Sequence, residues 1–120
     1  MIFEYFLEIL FMISWSDFEK VDMRAGTIVS VDDFPEARKP AYKLKIDFGE
    51  FGIKQSSAQI TDLYSKEDLL NKQIIAVVNF PPKQIANFLS ECLVMGVYAE
   101  DNSVVLLQPE RKTTNGMRVG

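Results

Sequence analysis

Two short runs hold the residue types best suited to binding. In "EFGIKQSSAQI", Lys54, Gln55, Ser56 and Ser57 stand in a row between apolar neighbours. Such a row is either a turn that uses up its own polar groups or a binding surface. Lys54 and Ser56 alternate onto one face of a strand, and Gln55 requires a partner if it turns inward. In "NFPPKQIANFLSE", Asn79, Lys83 and Ser90 bracket two aromatics, Phe80 and Phe88. Planar stacking partners, edge-reading amides and a cation for phosphate are what a looped or single-stranded nucleic acid requires. The plainer alternative is that Pro81-Pro82 ends a strand and both rings are core.

Other chemistries have little support. The chain has 120 residues and no histidine. That removes the usual general base, the usual zinc ligand and every histidine-containing triad together. There is no phosphate-binding glycine loop and no metal-ligand spacing, so no enzyme, cofactor or metal is expected. The single cysteine, Cys92, cannot form an intrachain disulfide. It reads as a small buried hydrophobe in a reducing, cytoplasmic setting. The carboxylate pairs Asp32/Asp33 and Glu67/Asp68 read as solvated turns. The formal net charge of −4 argues against a polyanion, but placement matters more than the sum. Arg38, Lys39, Lys43, Lys45 and Lys54 fall close together in sequence and can form a local basic face.

The elements that must position these residues are short. Residues 1–15 form an apolar N-terminal extension, "MIFEYFLEILFMI" and on. Glu4 and Glu8 lie one helical turn apart, which predicts a short helix with one polar stripe. The apolar run is too short to span a bilayer, and Met12 is an alternative natural start. Residues 16–120 read as one domain. Ser16-Asp17-Phe18-Glu19 predicts a capping box and a helical turn over 16–22. "RAGTIVSVDDF" alternates as a half-exposed strand, with Thr27, Val29 and Val31 on one face. "AYKLKIDFG" is the cleanest strand, and Gly49 to Gly52 turn it back into "FGIKQSS". Ser57 is a candidate cap for a short helix through "AQITDLYS". "KEDLLNKQ" gives a polar turn or one helical turn, and "IIAVVNF" a strand buried on both faces. "PPKQIANF" has a short helical pattern. "SECLVMGVYAE" and "SVVLLQP" form two strands joined at "DN". The predicted core is Val29, Leu44, Ile46, Ile74, Ala76, Val78, Val94, Val105 and Leu107. Short strands at near-regular spacing with brief helices predict an all-β fold, a small closed or nearly closed barrel.

Four motifs then occur in order: "D-x-R-x-G-x-I" at 22–28, "P-E-A-R" at 35–38, "K-Q-S-S-A-Q-I" at 54–60 and "V-N-F-P-P" at 78–82. With the sequence around them, from about Asp17 to Gly120, they closely resemble the CsaA family. That family falls in the group of tRNA-binding domains found at the C-termini of methionyl-tRNA synthetases. The resemblance implies a five-stranded OB-fold barrel, a homodimer, tRNA as partner and an export-related chaperone role. Unfolded or exported polypeptides are then a second partner class. A secretion chaperone without a tRNA role is the alternative it leaves open. Carried over by position, the family's tRNA surface points to Lys54, Ser56, Ser57, Asn79, Lys83 and Ser90. Two departures stand out. Leu89 occupies a position where relatives often carry a basic residue, which implies a less basic surface. The apolar extension at 1–12 is not expected of the family core.

Overall fold

The computed structural model describes residues 10–120. The predicted helix with its Glu4/Glu8 stripe lies outside the described residues, which open with Leu10 and Phe11 in helical conformation. Helix α1 (Trp15–Glu19) follows, capped by Ser14 rather than Ser16. The Ser14 hydroxyl accepts the Asp17 N–H (3.1 Å), and the Asp17 carboxylate accepts the Ser14 N–H (3.2 Å). Aspartate closes a capping box as glutamate does, so the helix starts two residues early.

The barrel is built on a long strand, β1 (Met23–Asp33), shared by two partners. Its first half pairs antiparallel with β4 (Gln73–Val77), from Met23↔Val77 to Thr27↔Gln73. Its second half pairs with β2 (Tyr42–Asp47), from Thr27↔Asp47 to Asp33↔Tyr42. Strand β2 turns through a 3₁₀ segment (Gly49–Phe51) into β3 (Ile53–Ala58), as expected of the Gly49–Gly52 connection. A short helix α2 (Lys66–Leu69) leads into β4, and β7 (Leu93–Val94) joins the far edge of β4. The sheet order is β3-β2-β1-β4-β7, a nearly closed five-stranded antiparallel barrel of the OB-like kind. Two hairpins hang on it: β5 (Lys83–Ile85) with β6 (Phe88–Ser90), and β8 (Gly96–Tyr98) with β9 (Val104–Leu106).

One core fills the barrel: Ile28, Leu44, Ile46, Phe48, Leu69, Ile74 and Ala76 are fully buried, with Ala58, Ile60, Cys92 and Leu106 beside them. Leu44, Ile46, Ile74 and Ala76 lie where expected, with Val78 and Val94 packed half-buried against them. Val29 does not, because the β1–β2 register slips between Ile28 and Ser30. A β-bulge inserts one residue and flips the inside-outside phase, so Ile28 is enclosed and Val29 points out. Val105 is also exposed. It pairs with Val97 on the outer face of its hairpin, and Leu106 takes the core position. Leu107 is half-buried.

Two other expectations change. Ser57 caps no helix, since it lies within β3, and "AQITDLYS" holds only a turn at 61–63. "PPKQIANF" is the β5–β6 hairpin, not a helix, turning at Ala86-Asn87 with Ala86 at φ 51°. Glycine usually occupies such a position, so its absence hid the turn. Asp68 is exposed, as expected. It closes the α2 capping box with Ser65, and the hydrogen bonds it exchanges with Ser65 hold its carboxyl below the usual range.

The "D-x-R-x-G-x-I" motif fastens the C-terminal tail to β1. The Arg24 guanidinium lies 3.9 Å from the centre of the Phe51 ring and donates to the Gly116 carbonyl at 2.8 Å. Its Nε meets the Asp22 carboxylate at 2.9 Å as an ion pair, poorly aligned for a hydrogen bond. Backbone bonds from Ala25 to Met117 and from Gly116 to Ala25 continue the sheet where β2 has ended. Gly26 is required by close approach: a Cβ there would lie 2.7 Å from Ile46 and the Phe48 ring. Gly116 turns the tail at φ 94°.

Truncating Ile46 to Ala should destabilise the fold by about 2–5 kcal/mol in urea unfolding. Val29→Ala should change it by less than about 0.5 kcal/mol. Equal effects would contradict the bulged register.

Candidate nucleic-acid interface

Strand β3 has β2 on one edge only. Along its other edge it meets residues 89–92, and side chains supply most of the pairing. A single backbone bond joins Glu91 N–H to the Gln55 carbonyl at 2.8 Å. The Gln55 N–H then donates to the Glu91 carboxylate (2.9 Å), and the Gln55 side-chain amide to the Leu89 carbonyl (2.8 Å). The Ser57 N–H donates to the Ser90 hydroxyl (3.1 Å), and the Ser56 hydroxyl to the Cys92 carbonyl (2.9 Å). The "KQSS" row is therefore first a seam that closes the barrel.

The seam sorts the predicted site residues. Ser56 is fully buried, opposite Leu44. Its hydroxyl is enclosed and engaged, so it cannot reach a ligand at the surface. Asn79 is also engaged: its carbonyl accepts the Asp22 N–H (3.0 Å) and its amide donates to the Lys20 carbonyl (2.6 Å). It ties the chain ahead of β1 to the end of β4. Phe88 packs edge-on against Phe34, centroids 5.4 Å apart. Lys54 is half-buried on the Ser56 face of β3.

Ser57, Lys83 and Ser90 do come together. Lys83 pairs with Ser90 across the β5–β6 hairpin, and Ser90 holds Ser57. All three line one cleft of about 890 Å³, bounded also by Phe80, Tyr98 and Asn102. Its volume falls in the range of ligand pockets, about 300–1,000 Å³. Lys39, from the basic run noted in the sequence, is also in its lining, whereas Tyr98 was not singled out, because nothing local marks it.

The electrostatics are local. Among the described residues the ion pairs engage Arg24, Lys66, Arg111 and Arg118. Lys39, Lys43, Lys45, Lys54 and Lys83 appear in none of them. Lys43 and Lys45 stand on the strand face of Ser57 and Gln55, directly across from them. Lys39 and Lys83 thus line the cleft without an ion pair among the described residues, while Lys43 lies 5.4 Å from the centre of the Phe34 ring. Burial pushes the Cys92 thiol up to about 11. Among the described residues, no cluster of three metal-ligating side chains occurs, and no helix is long and apolar enough to cross a membrane.

A sequence profile described as "Putative tRNA binding domain" matches residues 23–118. The chain belongs to the tRNA-binding domain family. The chaperone CsaA of Bacillus anthracis is similar at 53% identity and a TM-score of 0.86, covering 91% of this chain and 99% of that one. The CsaA chaperone protein of Picrophilus torridus is similar at 57% identity and a TM-score of 0.86, covering 91% of this chain and 100% of that one. Methionine–tRNA ligase of Thermococcus onnurineus is 35% identical over 107 residues, which are 89% of this chain and 14% of that enzyme. The chain thus spans a small fraction of the curated relatives it matches.

Two outcomes follow from the seam. At pH 8 the native Cys92 thiol should resist iodoacetamide and react once urea unfolds the chain; rapid native labelling would contradict its burial. The raised thiol value favours the neutral form in the fold. That stabilisation is therefore complete below the ordinary value, 9.0, and fades as pH rises through about 11. Ser56→Ala removes the donor to a buried carbonyl and should lower stability by about 1–3 kcal/mol in urea unfolding.

Proposed function

We propose that this chain is a non-catalytic tRNA-binding module that acts as a homodimer in the cytoplasm and recognises tRNA by shape and backbone. The observation that carries the reading is that Lys39 and Lys83 line the seam cleft with no ion pair among the described residues, in a chain of this family. Lysines without carboxylate partners are free to replace counterions on a phosphate backbone. Lys54 and Lys83 then contact phosphates, while Ser57 and Ser90 present polar groups at the cleft wall. Ser56 and Asn79 serve by holding the seam and the strand ends. The binding unit is residues 16–120, and the apolar extension at 1–15 lies outside it.

An export-related chaperone role forms the second part of the proposal. It is supported by the names of the CsaA relatives and by apolar exposure at Leu10, Phe11, Met12, Ile13 and Trp15. Two copies of a modest site on one two-fold particle raise effective affinity where a single tRNA spans both.

Bulk tRNA titrated at about 50 and 200 mM salt tests the RNA reading. Lys54→Ala and Lys83→Ala should each weaken binding whatever the tRNA's sequence. Each should also flatten the slope of log affinity on log salt by about 0.7–0.9 for every phosphate no longer neutralised. Ser90→Ala should lower affinity with little change in slope. Unchanged binding in all three folded variants would remove this face as the RNA site. Light scattering should return a dimer at micromolar concentration, and a monomer would reject the assembly.

A further inference from the structure

We infer that the cleft beside the seam takes an unpaired stretch of RNA, with bases stacked on Tyr98 and Phe80 and a phosphate held by Lys83. This rests on the RNA-binding reading above and adds that the strand in the cleft is single rather than duplex.

Two large aromatics line this cleft from different elements while remaining wet: Tyr98 is 81% exposed and Phe80 55%. Their placement follows from the fold. In the β8–β9 hairpin, Gly96 pairs with Leu106 and Tyr98 with Val104, so Tyr98 continues the core-facing side of the hairpin beyond the end of the core. Phe80 follows the last residues of β4 and precedes Pro81-Pro82, which cannot donate to a ladder and turn the chain away. Neither ring is used by the barrel. The hydroxyls of Tyr42 and Tyr64 are both hydrogen-bonded, whereas that of Tyr98 has no partner among the described residues.

Two lysines of the cleft are available to a phosphate, although the formal charge of its lining balances. Lys39 and Lys83 make no ion pair among the described residues, and the acids in the lining are Asp62 and Glu91, of which Glu91 is turned to the seam by the Gln55 N–H. Bases inside a duplex present their faces to one another, so away from helix ends an exposed ring can stack only on a base that is unpaired. Stacking tolerates every base, because each has a π-face. The cleft therefore reads whether the RNA is unpaired rather than its sequence.

Fluorescence anisotropy on the full chain tests this with three probes: a single-stranded adenylate hexanucleotide, a blunt RNA duplex and bulk tRNA. The hexanucleotide should bind and should displace labelled tRNA better than the duplex does. Tyr98→Ala and Phe80→Ala should each weaken hexanucleotide and tRNA binding by about 5- to 150-fold, the span expected when one base stack is removed. Tyr98→Phe keeps the ring and should bind as wild type. Both rings are exposed, so urea midpoints should not move. If tRNA binds but neither alanine variant weakens it, or if the duplex competes as well as the hexanucleotide, the inference is overturned and the tRNA reading stands. If no RNA binds at all, the tRNA reading itself fails and takes the inference with it. If Tyr98→Ala abolishes binding of reduced, carboxymethylated lactalbumin yet leaves RNA binding intact, the cleft belongs to a polypeptide and the inference is likewise overturned.

Discussion

The outer edge of β3 is closed by side chains, and the rest of the molecule depends on that closure. An unpaired strand edge in a small barrel leaves N–H and carbonyl groups that must find partners or stay wet. Here Gln55, Ser56, Ser90 and Glu91 provide them from both sides of the seam. Side-chain closure lets residues 89–92 approach β3 without being a full strand of its ladder. The β5–β6 hairpin can then stand off the barrel with Lys83 and Ser90 on its arms, and the cleft is the space left beside it. A seam made of ordinary backbone pairs would draw the hairpin into the sheet and narrow that space.

A chain with a net charge of −4 needs its cations kept free at one place if it is to meet a polyanion. The paired cations have structural duties elsewhere. Arg24 and Arg118 hold the tail around Asp22, and Lys66 pairs with Asp33. That ion pair holds the Lys66 ammonium above its ordinary range. The lysines of β2, β3 and β5 make no ion pair among the described residues, and of them Lys43 lies over the Phe34 ring. Two of them, Lys43 and Lys45, are set on the outer face by the same alternation that buries Leu44 and Ile46.

Much of this was legible in the sequence, and the failures have physical causes. Strict alternation in "AYKLKIDFG" identified β2 and its core residues, and the glycines at 49 and 52 marked the return into β3. The Val29 phase was lost because a bulge has no signature in an alternating run. Ala86 stands where a turn usually shows glycine, so a hairpin read as a helix. The site was half visible. Residue types in "KQSS" indicated a place where polar groups matter, but pattern alone could not separate a hydroxyl closing a barrel from one facing solvent. Ser56 and Ser57 are neighbours in sequence, yet one is sealed against Cys92 and the other borders the cleft. Tyr98 was invisible because its role depends on the hairpin extending past the core, a fact of tertiary structure.

If RNA lies along the seam cleft, ultraviolet crosslinking of the intact chain to tRNA, mapped by mass spectrometry, is the most direct test. Crosslinked nucleotides should fall on peptides that carry Lys54 to Asp62 and Phe80 to Tyr98. Crosslinks confined to the separate pocket lined by Lys72, Arg111 and Lys112, with the cleft peptides unmodified, would contradict that placement.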